Sequence, residues 1–298
     1  MIVPRWCRVG LACLLGGSAI GLAPAWAAVS VVGSLDRHFV VEPGGVVRGE
    51  IIVDNTDNAP VVVTTALRDY RQSRSRDHWP PAPAHARSLA PFVRFEPAEQ
   101  TIPAKTRARV AFVIDLPEPS ATRELPPLAG TYWTALMVQP EPILSGRQAG
   151  PDNALSIKER FQTAVRLSAT LATPAKTALK FASAQWRHAE ATSGSDTAAG
   201  TLELELHNTG QRLLDLTLVG EWVLTQATAV ERTPLGRVQI YPGGRRRVAW
   251  RVRRPASSLQ EALVIATPTE RMLSQRRFGA RFVVDSEDSL YIQLIDEN

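Results

Sequence analysis

Arg109-Val110-Ala111-Phe112 and Arg247-Val248-Ala249-Trp250 begin two copies of one nine-residue phrase, the first running to Pro117 and the second to Pro255. Polar and apolar residues alternate in both. Each copy follows a turn signal, Ile102-Pro103-Ala104 or Tyr241-Pro242-Gly243-Gly244. Before that comes a run ending in Asn-Thr, at Asn55-Thr56 and Asn208-Thr209. Elements that recur in the same order point to a duplicated domain, and a period of two identifies the elements as strands. A chain of 298 residues holds about two domains of roughly 150 residues each. We place the boundary at Thr173-Pro174, giving domains at 28–173 and 174–298.

The first 27 residues read as an export leader. Arg5 and Arg8 form its basic start, Val9 to Leu22 its apolar run, and Ala25-Trp26-Ala27 its cleavage site. A membrane anchor needs about 20 apolar residues, and this run has 14. Both cysteines, Cys7 and Cys13, lie inside the leader, so the exported chain is expected to contain no thiol and no disulfide. Loss of Arg5 and Arg8 lowers the net charge from +5 to +3. That balance excludes the strongly basic surface of a nucleic-acid binder. A soluble periplasmic protein is expected.

Strand signals recur through both halves. Val47, Gly49, Ile51 and Val53 alternate with Arg48, Glu50, Ile52 and Asp54, and Val61 to Leu67 is rich in β-branched residues. The run from Thr131 to Val138 is apolar on both faces, which suits a central strand. Leu202, Leu204 and Leu206 alternate with Glu203, Glu205 and His207. Gln72 to Pro91 holds four prolines and reads as a loop. Thr269 to Arg277 alone has a composition suited to a short helix. The expected fold is all-β, two tandem immunoglobulin-like β-sandwiches.

No catalytic constellation emerges. The five histidines, His38, His78, His85, His188 and His207, lack the spacing of a helical metal pair. His78, His85 and Asp77 share the proline-rich loop, where solvation explains them better than a metal. Glu203 and Glu205 share one strand face with nothing to bury them. The expectation is a protein that is not an enzyme and has no cofactor and no metal. Arg245, Arg247, Arg251 and Arg253 line one face of the second repeated strand. They form either a candidate stripe for an anionic envelope polymer or a sheet face balanced by Glu203 and Glu205, and the balanced face is the simpler reading. Trp133 is expected in a sandwich core. Trp79 is either an exposed anchor or folded back over the sheet.

The stretch Leu155 to Leu171, centred on Phe161-Gln162-Thr163-Ala164-Val165-Arg166-Leu167, resembles the last first-domain strand of periplasmic pilus (fimbrial) chaperones. Ser34-Leu35-Asp36-Arg37, Pro43-Gly44-Gly45, Asp54-Asn55-Thr56 and Pro60-Val61-Val62-Val63 extend the resemblance over most of the first domain. It implies an exported subunit or envelope protein as partner, bound by strand addition along Leu155, Ile157, Phe161, Val165 and Leu167. It also implies that Arg166, with Arg37 as a positional partner, grips a terminal carboxylate. Ser168-Ala169-Thr170-Leu171 departs from the family's aromatic continuation, and Glu159 interrupts the apolar face. A structural or adhesive envelope module therefore stands as the alternative.

Overall fold

The computed structural model describes residues 29–73, 77–118, 129–142, 162–188, 199–224, 230–253, 259–269, 277–284 and 290–295. The expected leader, Leu155, Ile157, Phe161 and most of the 269–277 stretch lie outside them.

Alternation of apolar residues determines the first sandwich. Strands β1 (Val29–Val32), β3 (Val46–Asn55), β5 (Val93–Glu96) and β7 (Arg107–Asp115) form one sheet in the order β1-β3-β7-β5. The facing sheet holds β2 (Asp36–Val41), β4 (Val61–Arg68), β6 (Glu99–Ile102), β8 (Thr131–Pro142) and β9 (Thr163–Leu171), ordered β2-β9-β8-β4-β6. Ile51 and Val53 from β3, Val61 and Val63 from β4, and Val110, Phe112 and Ile114 from β7 fill the space between. At about 25 cal/mol per Å² of apolar surface removed from water, each such side chain contributes roughly 1.5–3 kcal/mol. Gly33, with φ of 97°, lets the chain leave β1 and cross to the other sheet as β2.

The second sandwich repeats the plan. Strands β10 (Leu179–His188), β11 (Ala199–Asn208) and β14 (Arg245–Arg253) make one sheet. Strands β12 (Leu214–Leu224), β13 (Val230–Ile240), β15 (Leu259–Pro268), β16 (Phe278–Val284) and β17 (Leu290–Ile295) make the other, ordered β13-β12-β15-β16-β17. Leu202, Leu204 and Leu206 face Leu214, Leu216 and Leu218, with Trp250 and Phe282 between. Gly220 has no side chain because the Trp250 indole occupies that space. The fold is all-β and immunoglobulin-like in both halves.

The Asn-Thr repeat has a physical cause. Asn55 is fully buried, and its amide donates to the carbonyls of Ala59 at 2.9 Å, Ile102 at 3.1 Å and Pro103 at 3.0 Å. Asn208, also fully buried, donates to Arg212 at 2.7 Å and Ile240 at 2.8 Å. Each accepts a turn amide at its side-chain oxygen, from Asp57 at 3.0 Å and Gly210 at 2.9 Å. One asparagine per sandwich thus ties the end of a strand to the turn that precedes the repeated phrase.

Candidate functional site

Strand β8 is covered on both faces, and its neighbours Tyr132 and Trp133 point opposite ways. Tyr132 enters the first core. Trp133 is buried as expected, but not in a sandwich core. It clusters with Tyr70, Leu213 and Tyr241, where the second sandwich closes on the first. Period two makes adjacent residues oppose one another without saying which face is the core, so sequence alone misplaces Trp133. Its indole N–H donates to the Tyr70 carbonyl at 2.6 Å, and its ring lies 5.0 Å from that of Tyr241. Trp79 folds back and stacks on Tyr70 at 4.6 Å.

Several contacts hold the two sandwiches together. Gln72, at the start of the proline-rich excursion, accepts from the Tyr241 amide at 2.9 Å and donates to the Gln239 carbonyl at 3.0 Å. The Thr131 amide donates to the Gln211 carbonyl at 2.8 Å, and the Leu213 amide donates to the Thr131 hydroxyl at 2.7 Å. Gly130, at φ of 77°, stands where any β-carbon would collide with the Gln211 carbonyl.

The centre of the charged groups at this junction is the neutral Tyr70 phenol. It donates to Asp77 at 3.0 Å and accepts from Arg246 at 2.5 Å and Arg166 at 3.5 Å. Burial raises the Tyr70 pKa, although both arginines pull against it. Arg166 also bonds Asp36, its register partner on β2. Arg246 closes on Asp77 from the second sandwich. Sequence reasoning gave no role to Arg246 or Tyr70 and weighed Asp77 only with the loop histidines. The one available signal was that Arg246 breaks the ladder's alternation and so must face the other way from Arg245 and Arg247.

Arg37 does not join Arg166. It is paired with Leu167, and Phe39 two residues on packs against the first core, so Arg37 stands on the face of β2 opposite Asp36 and Arg166. The carboxylate that Arg166 meets is therefore that of Asp36, and the expected basic pair does not assemble. Val165 and Leu167 are fully buried in the first core. In this part of β9, then, the outward offer is backbone rather than apolar side chains.

That backbone is open over a short length. Strand β8 pairs with Thr163 to Thr170, whereas β2 runs beside β9 only from Arg166 to Leu171. The Arg166 amide donates to the Leu35 carbonyl at 2.7 Å. Alternation along the strand turns the N–H and C=O of Ala164 to the same side, where no strand among the described residues meets them. Leu155, Ile157 and Phe161 lie further along, outside the described residues.

On the second sandwich, Arg245 meets Glu205 at 2.9 Å and Arg247 meets Glu203 at 3.5 Å. This part of the arginine stripe is a charge-balanced sheet face. Arg251 and Arg253 continue β14 opposite Thr201 and Ala199, and their side chains are outside the described residues. Among the described residues no group of three or more His, Cys, Asp or Glu could hold a metal ion, and no helix is long and apolar enough to cross a membrane.

No family model and no curated protein matches this chain. Solved structures do. The class 5 fimbriae chaperone CfaA is 8% identical, with a TM-score of 0.42 over 91% of this chain and 100% of its own. The Pseudomonas aeruginosa CupB2 chaperone is 13% identical, with a TM-score of 0.38 over 87% and 97%. A chain from the chaperone-tip adhesin complex of CFA/I fimbriae biogenesis is 10% identical, with a TM-score of 0.44 over 90% and 98%. The chain is similar, over about nine-tenths of its length, to periplasmic chaperones of fimbriae.

Proposed function

We propose that this chain is a periplasmic, non-enzymatic binding protein of the chaperone type. It takes an extended segment of an exported partner as an added strand on β9, along the stretch Leu155 to Leu167. The observation that carries this reading is the register: β2 runs beside β9 only from Arg166, and no strand among the described residues meets the outward N–H and C=O of Ala164. An exposed strand edge is a template for an extended peptide, with main-chain bonds supplying affinity. Residues 28–173 would form the receiving domain and residues 174–298 the second.

The experiment is partner capture from periplasmic extract with wild type, Ala164→Pro and Phe161→Arg. Proline at 164 removes the outward donor while sparing the β8 ladder, because that N–H faces away from β8. Circular dichroism establishes that each variant is folded. Loss of capture by folded Ala164→Pro supports the reading, and equal recovery by all three proteins overturns it.

A further inference from the structure

Arg166, Arg246, Arg245 and Arg247 each meet a carboxylate. Among the described residues no carboxylate meets Arg71 or Arg87. Arg71 donates to the Ala84 carbonyl, and Arg87 donates to the Ala129 carbonyl at 2.7 Å with its guanidinium 5.6 Å from the Tyr132 ring. Both line an open cleft of about 570 Å³ between the excursion after β4 and two turns of the second sandwich, 207–210 and 241–244. His85 and His207 share the lining, Trp133 and Tyr241 supply aromatic surface, and no Asp or Glu is among the lining residues. Two acids stand behind the wall, and both are engaged. Buried Asp69 accepts from Ser88 at 2.8 Å and from the Ala84 amide, and buried Glu205 accepts from Arg245.

Two guanidinium groups with only carbonyl partners raise the local potential, and a carboxylate satisfies such a fork with charge-assisted bonds. The volume lies within the roughly 300–1,000 Å³ range of small-molecule pockets, well above what a single inorganic anion fills. We propose that this cleft binds a small organic anion with two or more carboxylates, held by Arg71 and Arg87 against the Trp133 and Tyr241 surface.

The histidines make this binding depend on pH. His85 stacks on Trp133 at 4.5 Å, and neither ring nitrogen has a hydrogen-bond partner. Burial holds its pKa below the ordinary histidine value, with Asp69, 3.8 Å away, opposing the shift and Arg71 adding to it. Burial also lowers His207, where Arg245 and Lys180 add to the shift while Glu205 and the Gly243 backbone oppose it. Both are therefore neutral near neutral pH, and a bound anion favours their protonated forms. A bound anion opposes both downward shifts, so binding takes up protons at the histidines.

The test is titration calorimetry of the folded protein with citrate at constant ionic strength, at about pH 6 and about pH 8. Wild type should bind citrate at both pH values. Arg71→Gln and Arg87→Gln should each weaken binding by about tenfold, while Arg94→Gln, an exposed position on β5 away from the cleft, should leave it unchanged. Arg71 is exposed, so its variant remains informative even if Arg87→Gln fails to fold. Absence of citrate binding, equal affinity in Arg71→Gln, or inorganic phosphate binding as tightly as citrate would each overturn the proposal.

Discussion

Arg246 donates to both oxygens of Asp77, at 2.8 and 3.2 Å, so that a residue of β14 grips the proline-rich excursion of the other sandwich. Both side chains are about a quarter exposed, at 24% and 29%, so solvent screens part of the attraction. The bidentate geometry and the shared Tyr70 phenol make the pair more than a surface contact. A double-mutant cycle with Arg246→Gln and Asp77→Asn should show a coupling of about 1 kcal/mol in urea unfolding. Additive effects would mean that the aromatic cluster and the Gln72 and Thr131 hydrogen bonds join the sandwiches without help from this pair.

The duplicated asparagines should be among the most costly polar positions to replace. Asn55→Ala removes the amide's contacts to three carbonyls, among them the buried Ile102 carbonyl, and Asn208→Ala removes those to the buried Arg212 and Ile240 carbonyls. A loss of about 2–4 kcal/mol is expected at either site, read from denaturant midpoints. A loss below about 0.5 kcal/mol, typical of a surface substitution, would show that water replaces the amide freely.

Asp36 stands where a partner's carboxylate would have to go to reach Arg166. Wild type should therefore bind a C-terminal peptide of its partner and the amidated form of that peptide within about threefold of each other, and Asp36→Asn should shift the preference toward the free acid. Fluorescence anisotropy with the two labelled peptides measures this. A strong free-acid preference in wild type would show that Asp36 yields its place.

Asp215 supplies an acid-side test. Burial would raise its pKa, but hydrogen bonds from Arg237 and Gln239, together with the Arg237 charge, outweigh that and hold it below the ordinary carboxylate value. A lowered native pKa means that the unfolded chain binds the proton first. The contribution is then intact above the unfolded value of about 3.9 and is lost as the pH falls through the native one. Urea midpoints measured from about pH 5 downward should fall less steeply in Asp215→Asn than in wild type. Identical slopes would place the acid sensitivity elsewhere.

The expected export leader makes a covalent prediction. Mass spectrometry of periplasmic material should give an N-terminus at Ala28, and unfolding should be the same with and without reductant, since Cys7 and Cys13 would leave with such a leader. A reductant-dependent midpoint would mean that a cysteine is retained.

Alternation, turn residues and an ordered repeat were enough to read β3, β4, β7, β11 and β14, and their apolar faces, from the amino-acid order, because period two and buried apolar area are local properties. The paired asparagines were visible as a repeat, though not their bonds, since Asn55 reaches carbonyls 47 and 48 residues away. Which face of β8 meets the core and which the junction was decided only in three dimensions. Both faces of β8 are covered, so Tyr132 and Trp133 read alike in sequence while one fills a core and the other a junction. Arg37 and Arg166 looked like partners until the parallel register of β2 and β9 set them on opposite faces. Arg246 and Tyr70 are 176 residues apart, and no local pattern encodes their meeting. It follows from the packing of two separately folded layers, where long-range geometry decides which charges face each other.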